Sequence, residues 1–128
     1  PSAASGRVMY FLTSVTMSGN AGSGTELRLG DAFDRETGAQ LDPLSLFSIP
    51  PEQVPEALVS LSKPENSALK AELIAAFQPD HLVFLPDGLE LNFPLGSLPS
   101  QEYDYLAALA YTPQLTALLQ SWAVPQDN

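Results

Sequence analysis

The chain has 128 residues, enough for one domain, and its 45% hydrophobic and 16% charged residues exclude a disordered tail. Its 15 acidic residues against 5 basic ones leave a formal net charge of -10. That field repels phosphate backbones and anionic lipid headgroups, which argues against nucleic acid and membrane-surface partners, and attracts basic proteins, polyamines and divalent cations.

There is no cysteine, so disulfides, thiolate nucleophiles and zinc-thiolate sites are excluded, while the compartment is left open. No apolar run approaches the roughly 20 residues that span a bilayer, so this segment is not expected to insert into a membrane. The start at Pro1-Ser-Ala-Ala-Ser-Gly6, without an initiator Met, reads as a trimmed chain whose upstream anchor or partner domain is missing. Residues 1–6 read as a linker or chain boundary, 7–124 as one domain, and 125–128 as a frayed tail.

Arg7 to Met17 is β-branched and aromatic, with apolar residues in both alternating registers from Val8 to Leu12, which predicts a strand covered on both faces. Ser18 to Gly24 reads as a flexible glycine loop, and Glu26-Leu-Arg-Leu29 begins a second, half-exposed strand with leucines on one side and charges on the other. Asp34-Arg-Glu-Thr-Gly38 is a turn: Asp34 can accept nearby backbone N–H groups, and Gly38 tolerates the positive φ that closes it. Leu41 to Phe47 reads as a short helical turn capped by Asp42, with Pro43 at its first position.

Two helices follow. The first starts near Pro51 and Pro55 and aligns Val54, Leu58 and Leu61; the second aligns Leu69, Leu73, Ala76 and Phe77 before Pro79 stops it. His81 to Leu85, Pro86-Asp87-Gly88 and Leu89 to Phe93 predict a β-hairpin, with Leu89, Leu91 and Phe93 inward and Glu90 and Asn92 outward. Gln101 to Tyr111 carries both signals: its Leu-Ala composition favours helix, its tyrosines favour strand, and 104–111 stays open between them. Thr112 to Trp122 predicts a last helix with Thr112 as cap, Pro113 at the first position, and Leu115, Leu118, Leu119 and Trp122 on one stripe. The fold class is therefore α+β, a mostly antiparallel sheet packed against two or three helices in a single domain.

The chemistry is sparse. His81, the only histidine, reads as a satisfied residue at the start of a buried strand, and no Gly-x-Ser-x-Gly elbow or Ser-x-x-Lys pair accompanies it. Gly19, Gly22 and Gly24 lack the spacing and the Lys of a nucleotide loop. Asp31, Asp34 and Glu36 do not follow a calcium-loop pattern, nor do Glu102 and Asp104. No catalytic, cofactor-binding or metal-binding residues are assigned. Tyr103, Tyr105 and Tyr111 with Glu102 and Asp104 form the candidate partner surface, an aromatic and acidic composition suited to an interface as well as to ordinary tyrosine packing.

Phe33-Asp34-Arg35-Glu36-Thr37-Gly38, then Leu41 to Phe47, then Val83-Phe-Leu-Pro-Asp-Gly-Leu-Glu-Leu-Asn-Phe-Pro94 together resemble a bacterial extracytoplasmic domain of unknown function. It is the domain of RsiV-type anti-sigma factors and of the C-terminal end of PdaC-type peptidoglycan deacetylases. The likeness spans roughly residues 8 to 119. Leu95 stands where that pattern has tyrosine, no glycine occurs in Gln101 to Ala110, and Tyr111-Thr-Pro-Gln-Leu115 matches the closing motif in part. The resemblance implies a strand at Ala107 to Tyr111. It also implies a non-enzymatic sensor or ligand-binding domain of the cell envelope, recognising lysozyme or another basic wall-associated partner and held through an upstream segment. An accessory module of a cell-wall deacetylase or hydrolase is the alternative, and a glycan-acting enzyme using a carboxylate pair is the weaker one.

Overall fold

In the computed structural model, residues 1–18 and 24–126 are described; positions 19–23 of the Ser18–Gly24 loop reading and 127–128 of the 125–128 tail lie outside them, while Ser18 and Gly24 pair as strand ends. Strands β1 (Ala3–Ala4), β2 (Val8–Ser18) and β3 (Gly24–Asp34) form one antiparallel sheet in that order; β4 (Leu82–Phe84), β5 (Gly88–Phe93) and β6 (Tyr105–Ala110) form a second. Along the chain, helices α1 (Val54–Leu61) and α2 (Ser67–Ala76) come between β3 and β4, and α3 (Pro113–Thr116) follows β6. The molecule is thus an α+β domain, with two small sheets where one was expected.

The two sheets meet at β3 and β4. A side chain at Gly30 would strike the Leu82 carbonyl, so the strands approach backbone to backbone. Arg28 of β3 reaches over to Glu90 of β5, with Nε 2.9 Å from Oε1. Below the junction Tyr10 stacks on Phe84 at 4.4 Å between ring centroids. Leu46, Phe47, Val54, Leu58, Leu73, Leu89, Leu91 and Leu115 complete one continuous core. Val54 and Leu58 are buried as the helical spacing predicts, with Leu61 half-buried beside them, and Val59 is buried as well. On α2, Leu69 and Leu73 are buried, and Asn66 caps the helix by accepting from the Leu69 N–H at 2.8 Å.

The turns follow their chemistry. Asp34 Oδ1 accepts from the N–H groups of Glu36 at 2.8 Å and Thr37 at 3.1 Å, and Gly38 has φ of 74°. Asp42 Oδ1 accepts from the Leu44 N–H at 3.0 Å ahead of a 3-10 turn at Pro43–Leu46. The hairpin pairs Leu82 with Leu91 and Phe84 with Leu89, and Leu89, Leu91 and Phe93 are buried while Glu90 and Asn92 are half-exposed.

Three expectations are corrected. First, β2 is covered on one face: Val8 and Tyr10 are buried, but Phe11 is 40% exposed and meets Phe33 edge-on at 5.7 Å. Its apolar alternation continues onto an outer face where Phe11 and Val15 are exposed.

Second, the last helix is a single turn. Thr112 caps it as expected, accepting from the Leu115 N–H at 3.3 Å. Beyond it Ser48 N–H donates to Leu118 O and Gln120 N–H to Leu46 O, both at 2.8 Å, and Leu119 bridges to Phe47. These bonds to a distant segment replace the i to i−4 bonds that a longer helix needs. Third, His81 lies in a 3-10 turn at Pro79–His81 rather than in the strand, and its Nδ1 is enclosed without a hydrogen-bond partner among the described residues.

Residues assigned by sequence to the flanks take part in the domain. Ala3 and Ala4 pair with Tyr10 and Met9, and Gln126 N–H donates to Ala4 O at 2.9 Å. Buried Ser5 donates to Trp122 O at 2.6 Å and accepts from the Val8 N–H at 2.9 Å, tying the two chain ends together.

Candidate functional site

The candidate surface is built on β6. Its sequence, Tyr-Leu-Ala-Ala-Leu-Ala, has high helix propensity, yet it is a strand because all six residues pair with β5, from Gly88 opposite Ala110 to Phe93 opposite Tyr105. Tyr105, Ala107 and Leu109 turn to the core face, where Tyr105 meets Phe93 edge-on at 6.1 Å. Leu106, Ala108 and Ala110 turn outward and are exposed.

Hydrogen-bond parity decides which main-chain groups β6 leaves open. Leu85 N–H donates to Gly88 O at 2.8 Å, so the polar groups of Gly88 face β4. Alternation turns those of Leu89, Leu91 and Phe93 toward β6, and the register makes Leu109, Ala107 and Tyr105 their partners. The N–H and C=O groups of Leu106, Ala108 and Ala110 are therefore left on the outer edge. Of these, Ala110 O accepts from the Thr112 N–H at 2.7 Å. Among the described residues β6 has no neighbour strand on that side.

The five residues of the sequence-assigned surface divide around this strand. Glu102, Tyr103 and Asp104 precede it and are exposed, Tyr103 at 71%. Tyr105 packs inward. Tyr111 lies beyond the far end, half-buried, with its hydroxyl within reach of two carbonyls, Leu85 O at 2.8 Å and Gly88 O at 3.0 Å. Burial pushes its phenol above the ordinary range, with the nearby Tyr10 and Asp87 adding to the effect. Tyr111 thus latches β6 to the hairpin turn instead of projecting with Tyr103.

Two recesses flank the far half of the strand. A groove of about 360 Å³ runs between Ala108–Ala110 and the ends of α1 and α3, with Leu61, Lys63 and Gln114 on its walls. A second hollow of about 340 Å³ places Asp87 and Glu90 beside Ala108 and Ala110. The charge of Glu90 is taken up by Arg28; Glu102, Asp104 and Asp87 have no ion-pair partner among the described residues. Gly88 is needed here for closeness, since a Cβ on it would stand 2.8 Å from Leu109 O.

The other acidic candidates are engaged locally. Asp31 accepts from the Gln40 side-chain amide at 3.0 Å, and Asp34 is held by its own turn and by Arg7 at 3.4 Å. Among the described residues no group of three or more His, Asp or Glu side chains is placed to hold a metal ion. The open edge at Leu106, Ala108 and Ala110 has no signal of its own in the sequence, because it depends on where the second sheet ends.

No family model and no curated protein matches the sequence. Among solved structures, the chain is similar to a DUF3298 family protein from Pseudomonas aeruginosa PAO1, with a TM-score of 0.57 and 15% sequence identity. The match covers 94% of this chain and 59% of that one. At this identity the likeness concerns the fold, which this chain shares with a domain of unknown function.

Proposed function

We propose that this domain is a non-enzymatic, extracytoplasmic ligand-binding or sensor module of a bacterial envelope protein, and that its ligand is a basic, wall-associated protein such as lysozyme. The observation that carries this reading is the exposed Glu102-Tyr103-Asp104 rim leading into a strand whose Leu106, Ala108 and Ala110 are exposed, on a chain of net charge -10. An acidic rim attracts a cationic partner at long range, and an exposed tyrosine beside apolar surface supplies contact area at close range. The resemblance of the Asp34–Gly38 turn and the Val83–Pro94 hairpin to RsiV-type domains points to the same class of partner.

The test is a calorimetric titration of the domain with a lysozyme and with an unrelated basic protein of similar charge, at low and high salt. The expected result is binding to the lysozyme that persists when salt screens the long-range field. Equal binding of both proteins, or binding abolished by salt, removes the sensor reading. The accessory-module alternative has one observation in its favour, since the similar Pseudomonas fold spans part of a longer chain. A linked deacetylase or hydrolase domain in the full-length gene selects that alternative; a transmembrane segment with a cytoplasmic sigma-binding region selects the sensor.

A further inference from the structure

We propose that the outer edge of β6 receives an extended, lysine- or arginine-bearing segment of a partner polypeptide as an added strand. This deepens the binding-module reading and rests on it.

An edge strand offers a row of unpaired N–H and C=O groups, and natural sheets protect such rows with charge, proline, bulges or a covering element. Among the described residues no strand lies beyond this row. The six residues of β6 contain no charge and no proline, and β4 to β6 run in unbroken one-to-one register. The N–H groups of Leu106, Ala108 and Ala110 and the carbonyls of Leu106 and Ala108 face outward, an alternating set that an incoming strand pairs with directly. Beside this row the groove walled by Leu61, Lys63 and Gln114 has room for a side chain of the added strand.

Charge selects the occupant. Glu102 and Asp104 stand at the entrance of the strand, where the nearby Arg28 is already paired with Glu26 and Glu90, and Asp87 lies beside its far half, against the ammonium of Lys63. A second copy of this chain would bring the same carboxylates and a net charge of -10 to the interface, whereas a cationic strand neutralises them.

The experiment uses a capped peptide of alternating lysine and valine, about eight residues long to span the strand. Two further versions carry backbone N-methyl groups on the lysines or on the valines. In the isotope-labelled domain, binding of the parent peptide is expected to slow amide exchange at Leu106 and Ala108, and one methylated version is expected to bind at least about tenfold more weakly than the parent. Ala108→Pro removes an outward N–H that takes no part in the β5 ladder, and is expected to weaken binding while the domain stays folded. Ala108→Lys, which keeps the N–H and repels a cation, is expected to do the same.

Failure of the parent peptide to bind, equal binding of all three peptides, or binding without amide protection overturns strand addition. A concentration-dependent dimer dissociated by Ala108→Pro overturns the choice of occupant. Lysozyme binding unaffected by both Ala108 variants overturns this mode alone and leaves the binding module standing; absence of lysozyme binding in the wild-type domain removes the broader reading.

Discussion

The backbone of Gly30 in β3 meets Leu82 in β4 so closely that a Cβ on residue 30 would stand 1.8 Å from the Leu82 carbonyl oxygen. The glycine is required by this approach rather than by its φ, and the junction of the two sheets depends on it. Gly30→Ala forces the strands apart and is expected to destabilise the domain by about 1–3 kcal/mol, read as a lower denaturant midpoint. A wild-type midpoint contradicts the contact.

Arg28 and Glu90 cross the same junction, both largely shielded, with 24% and 13% of their side chains exposed. Partial burial places their worth between that of surface and buried pairs. Glu90→Gln is expected to cost about 1–2 kcal/mol, and a double-mutant cycle with Arg28→Met to return a favourable coupling. Glu26, the more exposed partner of Arg28, is expected to matter less. A coupling of zero removes the pair as a clasp between sheets.

Acid should weaken the Asp34 turn. The N–H groups of Thr37 and Glu36, followed by Arg7, hold the Asp34 carboxyl below its ordinary pKa in the folded state. Its stabilising contribution is therefore complete above the unfolded carboxylate value of about 4 and is lost as pH falls through the folded value. Melting temperatures measured from neutral pH downward are expected to fall less steeply for Asp34→Asn than for the wild type. Identical slopes contradict this linkage.

Tyr103 and Tyr111 should separate cleanly. Tyr111→Phe removes the hydroxyl that latches Leu85 and Gly88, at about 1 kcal/mol of stability. Tyr103→Ala leaves the melting temperature unchanged, since Tyr103 is 71% exposed, and weakens binding to lysozyme. Tyr103→Ala with full affinity takes the rim out of the binding surface.

A glycan-cleaving carboxylate pair is tested directly by incubation with purified peptidoglycan. On the binding-module reading no soluble fragments are released. Release that a single Asp→Asn or Glu→Gln substitution abolishes makes the domain an enzyme.

Legibility in the sequence followed the range of the interactions. The Pro86-Asp87-Gly88 hairpin was readable because its register follows from adjacent residues, and the alternation Leu89, Leu91, Phe93 needs no knowledge of the rest of the chain. Tyr105–Ala110 stays open on its own residues, because its leucines and alanines favour helix in isolation and pairing with β5 overrides them; the strand implied by the resemblance at Ala107 to Tyr111 is present as far as Ala110. Leu115 to Trp122 carried a sound amphipathic stripe, yet Leu46, Phe47 and Ser48 claim the backbone of residues 118–120. The aromatic and acidic composition of Glu102 to Tyr111 was visible, while the division between projecting Tyr103 and latching Tyr111 was not.

By itself the sequence determined the Asp34–Gly38 turn, the caps at Asp42 and Thr112, the hairpin and the acidic character of the surface, because each depends on side chains and backbone groups a few residues apart or on composition. Tertiary structure alone decided that the strands divide into two sheets, that the last helix stops after one turn, and that β6 is left with an open edge. Those outcomes depend on which distant segment reaches a backbone group first, and a hydrogen bond between residues tens of positions apart leaves no local pattern to read.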